Sequence, residues 1–210
     1  MLFLVLGFTF YAMAGGLGAV ILGNGFNWLY FALMGLLTMA LGMFGSVFNT
    51  YASVYLPKDN EQLLSLPLDP WEILRAKINM SVQLNVYSSI FFILVCGTVL
   101  RFHWWETALI CVAVWFYIWA VSDFELFLNL KNPNFSWTNV AYVTKESMPV
   151  VISMFGGWAF CIALGFGGFF LAKIAPVWAV LCTYILLLLI LGLALHRWLK
   201  KKGTEIFASL

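Results

Sequence analysis

The chain has 210 residues, of which 63% are apolar and 10% charged, where an ordinary soluble domain carries about 25% charged residues. Too few polar side chains remain to cover a water-facing surface, so a soluble globular fold is excluded. The formal net charge of +2 supplies no strong basic field, and no nucleic-acid partner is expected.

Apolar stretches near 20 residues match a hydrocarbon core about 30 Å thick. Open strands are excluded there, because unpaired backbone groups in lipid cost several kcal/mol each. The expectation is an all-α polytopic membrane protein, a single transmembrane domain over 1–210 with six transmembrane helices. The spans fall at about 2–22, 28–55, 78–100, 104–130, 149–172 and 176–199.

The first span lacks a basic start and is too long for an ordinary signal-peptide core. An uncleaved span is the leading reading, with a signal peptide or a missing natural N-terminal segment as alternatives. Gly15, Gly16, Gly18 and Gly23 lie within or at the end of this run. No Lys follows them as a phosphate loop requires, so they read as packing glycines.

A long polar loop at 56–77 follows the second span. Asp59 opens a short helix with an apolar face of Leu63, Leu64 and Leu66, which Pro67 ends. A second start follows, with Asp69 as cap, Pro70 at the first helical position and Glu72 closing the box. That helix runs through Ile73 and Leu74 into the third span. Taken by itself the loop is an interfacial amphipathic helix or a docking element, and periodicity does not choose between them.

Asn49, Thr50, Ser81, Gln83 and Asn85 put polar groups at the inner ends of the second and third spans. Interhelical bonding is the leading reading for them, and a lining for a cytoplasmic entrance is the alternative. Asp123 and Glu125 lie near the inner end of the fourth span. Ionisable groups at such positions are functional candidates. Two residues apart on a helix, they do not form a ready-made carboxylate pair. Interfacial or ion-paired roles lead for them, with a substrate path as the alternative.

The second long loop, 131–148, leads into a fifth span rich in glycine at Gly156, Gly157, Gly165, Gly167 and Gly168. These permit close helix approach or loosen a helix that moves, as do Gly35 and Gly42 in the second span. His103 and His196 fall at opposite ends of their spans and cannot share a metal; both read as interfacial belt residues. Cys96, Cys111, Cys161 and Cys182 form no C-x-x-C, so neither a zinc site nor a disulfide framework is expected.

Charge then orients the chain. With both long loops and both termini cytoplasmic, Lys58, Arg75, Lys77, Lys131, Lys145, Arg197, Lys200, Lys201 and Lys202 lie inside. Only Arg101 and Lys173 lie outside, a strong bias by the positive-inside rule.

The run "KDNEQLLSLPLDPWEILRAK" resembles the loop after the second span of bacterial type-2 ABC exporter permeases. Lys58, Asp59, Glu61, Leu63, Leu64, Leu66, Pro67, Ile73, Leu74 and Lys77 carry the pattern. Pro133, Trp137 and Lys145 in the second loop, and the ending "WLKKKGTEIFASL", are similar to further stretches of such permeases. Larger members place more membrane segments between the two loop motifs.

The resemblance implies the membrane subunit of an ATP-driven exporter in the cell inner (plasma) membrane. A separate cytoplasmic ABC ATPase would dock on Asp59, Glu61, Leu63, Leu64, Leu66 and Pro67, and a second permease copy or homologous half would complete the pathway. ATP and Mg would sit on that ATPase, and no cofactor is expected on this chain. The absence of G-x-x-x-x-G-K-[ST] agrees with a subunit that is not itself an enzyme. Asn49, Gln83, Asn85, Asp123 and Glu125 are the candidate substrate path, with lipid surrounding the spans. The alternative is a non-transport membrane protein, an immunity or assembly factor that binds a partner.

Overall fold

A computed structural model describes residues 67–99, 103–131, 148–171 and 174–208, and these are all helical apart from short connections. Helix α1 spans Pro70–Val99, α2 Trp104–Lys131, α3 Met148–Leu171 and α4 Val177–Trp198. A π-helical turn, Leu199–Gly203, then leads into α5, Thr204–Ala208. The first two predicted spans, Asn49 and Thr50, the docking residues from Asp59 to Leu66, and Pro133, Trp137 and Lys145 lie outside the described residues.

Local chemistry explains the helix starts. Asp69 Oδ1 accepts a hydrogen bond from the Trp71 backbone N–H at 3.0 Å, and the Asp69 carbonyl accepts from Glu72 N–H at 2.8 Å. Asp69 therefore caps α1, with Pro70 at the first helical position, where its missing N–H costs nothing. At α2 the reciprocal half of a capping box forms: Glu106 Oε2 accepts from the His103 backbone N–H at 3.1 Å.

Helix α2 is the hub. Its contacts with α4 and α1 are the most extensive among the described helices, and α3 packs on it more lightly. Val114, Tyr117, Ile118 and Leu126 are fully buried along it, joined by Leu74 and Ile78 of α1 and Leu188 of α4. Two helical runs, Trp104–Lys131 and Trp178–Ala208, are long and apolar enough to cross a membrane. Half of the apolar window of the first is buried within the protein, against 17% for the second, so α4 is the peripheral one.

Side-chain pairings set the directions. Going along α2, Trp119 meets Gly192, Asp123 meets His196, Phe127 meets Trp198 and Leu130 meets Gly203. The two helices thus run parallel. Against α3 the order reverses, since Tyr117 stacks on Phe160 and Phe124 faces Gly156. Only four residues separate Val99 of α1 from Trp104 of α2, too few to return along a helix of 28 residues. These two extensively packed helices are therefore antiparallel, and Trp71 at the start of α1 reaches His196 near the end of α4. Successive long helices alternate in direction. All seven described Lys and Arg residues, Arg75, Lys77, Lys131, Arg197, Lys200, Lys201 and Lys202, consequently gather at one end.

The fifth predicted span remains an unbroken helix through all of its glycines. The Tyr184 hydroxyl donates to the Leu164 carbonyl, and a Cβ on Gly168 would lie 2.8 Å from that hydroxyl oxygen. Gly168 thus makes room on α3 for the Tyr184 hydroxyl. Past the last predicted span the helical path runs nine residues further, to Ala208, with Leu199, Gly203 and Phe207 recurring every fourth residue and all buried.

Candidate functional site at the basic end

The basic end brings together groups that are far apart in sequence. Asp123 of α2 is 0% exposed, and its Oδ2 lies 3.2 Å from His196 Nδ1 of α4, which keeps 29% of its side-chain surface. The imidazole sits between two indoles. Trp71 of α1 meets it edge-on at 5.0 Å between ring centroids, and Trp119 of α2 lies tilted at 5.5 Å. One side chain thereby ties three helices together.

Isolating a carboxylate from water is costly unless it is paired and hydrogen-bonded. Asp123 Oδ2 has that pairing, whereas its buried Oδ1 makes no hydrogen bond among the described residues. The close approach of α4 that makes the pairing feasible depends on Gly192. A Cβ there would sit 2.9 Å from Trp119 Cε3 and Cζ3.

Ser122, Glu125 and Asn129 are also buried on α2, and their spacing places them on a shared face. Along α1, Ser81, Asn85 and Ser89 are buried at every fourth position, and Asn85 Nδ2 donates to the Ser81 carbonyl at 2.8 Å. Gln83, in contrast, is exposed. Of the candidate path residues within the described chain, Asn85, Asp123 and Glu125 are interior and Gln83 is not. Pro67, the one described docking residue, is exposed.

Beside this site the C-terminal turn closes over α1. Phe207 is 1% exposed, and Lys77 Nζ lies 5.7 Å above the centre of its ring, within range of a cation–π contact. Burial pulls the Lys77 amine down to about 8. On the other flank, Lys131 Nζ lies 5.0 Å over Phe127, whose ring meets Trp198 edge-on at 4.5 Å.

The belt reading of His196 named no partner for it, and the structure pairs it with Asp123 across 73 residues. Nothing local in the sequence marks Trp71, Trp119, Gly192 or Phe207 as a site residue. The available signal was depth: Asp123 and His196 each lie a short way before the basic end of parallel helices. Among the described residues no cluster of His, Cys, Asp or Glu could hold a metal ion. Cys111 and Cys182 are free thiols. No protein family, curated protein or solved structure matches the chain.

Proposed function

We propose that this chain is the membrane-spanning permease subunit of an ATP-driven exporter. In this reading it has six spans with both termini cytoplasmic, sits in the inner membrane and works with a second permease copy. A separate cytoplasmic ATPase supplies the energy. The basic end faces the cytoplasm, in keeping with the positive-inside rule.

One observation carries the reading. The permease-like run from Lys58 to Lys77 passes through the Asp69 cap directly into α1, and Trp71 in the first turn of that helix rests on His196. His196 in turn bonds Asp123, which is buried on α2 near the basic end. A load that reaches Asp69 thus has a helical route through Trp71 and His196 to the contact between α2 and α4. The interior along α2 is filled by Tyr117, Ile118 and Leu126, which favours a pathway between copies over one through this helix packing.

The test is a mild-detergent pulldown of the chain from its own host, with mass spectrometry of the proteins retained. The expected result is an ATPase carrying a phosphate loop, lost when Leu63→Asp and Leu64→Asp are combined while the permease still inserts. A well-folded preparation without an ATPase would overturn the exporter reading in favour of a non-transport membrane protein.

A further inference from the structure

The last helical path has two unlike faces. Leu188, Gly192, Leu199, Gly203 and Phe207 are buried along one, and they hold the C-terminal turn against α1 and α2. Along the other, Leu186, Ile190 and Leu193 are exposed, and the same stripe continues into exposed Arg197, Lys200 and Lys201. An apolar track about two turns long therefore ends in a cluster of cations.

Two features make this more than a charged tail. The cations stand on continuous helix, because the π turn passes without a break into α5. Thr204 Oγ1 bonds the Lys200 and Lys201 carbonyls there at 3.1 and 3.4 Å, and Phe207 anchors the end beneath Lys77. None of Arg197, Lys200 and Lys201 forms an ion pair among the described residues. Glu205 is the one acidic residue of the turn and α5.

We infer that this face of α4 and the π turn binds an anionic phospholipid, its phosphodiester on Arg197, Lys200 and Lys201 and its acyl chain along Leu193, Ile190 and Leu186. The inference rests on reading α4 as a membrane-crossing helix. Charge complementarity decides the headgroup, since a lysine or arginine near a membrane surface favours anionic lipid by about fivefold. The exposed leucine and isoleucine side chains distinguish a lipid from free phosphate, for which they offer nothing. The occupant closes the cationic end of the helix and fixes its depth.

The probe is a mixed micelle holding equal phosphatidylglycerol and phosphatidylcholine, with native mass spectrometry of lipid retained by the purified full chain. Working in micelles removes any effect of the charges on insertion direction. The wild type is expected to retain phosphatidylglycerol about fivefold or more over phosphatidylcholine. Combined Arg197→Gln, Lys200→Gln and Lys201→Gln should abolish that preference at unchanged helical content, and Arg197→Lys with Lys200→Arg and Lys201→Arg should keep it. A variant of Lys131→Gln, at the same end but on α2, should also keep it.

Equal retention of the two lipids by the wild type would overturn the inference, as would a triple Gln variant that still selects phosphatidylglycerol. Displacement of the lipid by soluble glycerophosphate would show a phosphate site with no lipid role, which also overturns it. Release of the wild type from membranes by alkaline carbonate would remove the span reading and this inference together. Retention in the membrane with no lipid preference would remove this inference alone.

Discussion

Asp123 and His196, 73 residues apart, place a carboxylate oxygen and an imidazole nitrogen 3.2 Å from each other, with the carboxylate fully buried and the ring held between Trp71 and Trp119. This contact joins the hub helix α2 to the peripheral α4 and gives α1 a seat on both. Its value lies in geometry more than in net energy, because desolvation of a buried pair offsets much of the attraction.

Removing one partner is therefore expected to do more harm than removing both. His196→Ala leaves the buried Asp123 carboxyl group without its hydrogen-bond partner and should lower stability by about 1–3 kcal/mol. Asp123→Asn keeps a hydrogen-bonding group opposite the ring and should be milder. The pair Asp123→Leu with His196→Leu should cost less than the sum of the single leucine variants. Denaturant unfolding in detergent, run as a double-mutant cycle, measures the coupling; strict additivity would show that the contact carries no interaction energy.

Gly192 should be intolerant of even one added carbon. With Trp119 ring carbons 2.9 Å from the position of a new Cβ, Gly192→Val forces α4 away from α2 at a cost of about 1–3 kcal/mol. Combining it with Trp119→Leu should recover part of the loss. Thermal unfolding of the three variants checks this, and an unaffected Gly192→Val would contradict the close approach.

Phe207 anchors the C-terminal turn. Phe207→Ala empties a fully buried site and should cost about 3–5 kcal/mol locally. Because the turn can detach without unfolding the bundle, the readout is hydrogen exchange across 199–208. Faster exchange there, with α2 unchanged, is the expected pattern.

Lys77 should titrate well below a free lysine. Its amine falls to about 8 from an ordinary 10.5 through burial. Between those values the unfolded chain binds more protons than the folded one, so stability rises with pH across that window. Below pH 8 the amine is charged in the folded chain at a desolvation cost, and the gain in stability is complete above 10.5. Lys77→Met should flatten this slope. The pH dependence of Lys77 acylation by an amine reagent measures the value directly, and a midpoint near 10.5 would show that the amine reaches water. Phe207→Ala, by admitting water, should move the midpoint upward.

Much of the local architecture was legible in the residues themselves. Asp69 followed by Pro70 announced the start of α1, because a carboxylate cap and a residue lacking N–H answer the unmet hydrogen bonds of a first turn. The apolar run beginning at Trp104 announced α2 to within one residue at its far end, since Lys131 ends the apolar stretch. Such signals act over a few residues and are written in the chain.

The seat of His196, the tolerance limit at Gly192 and the burial of Phe207 are of another kind. Each depends on what a second helix places opposite it, and nothing local at 196 specifies Asp123 as neighbour. Composition by itself determined that this chain would form apolar helices, because so few charged groups leave no alternative surface. Tertiary structure alone decided which faces those helices share, since pairing, close approach and desolvation are properties of two segments at once.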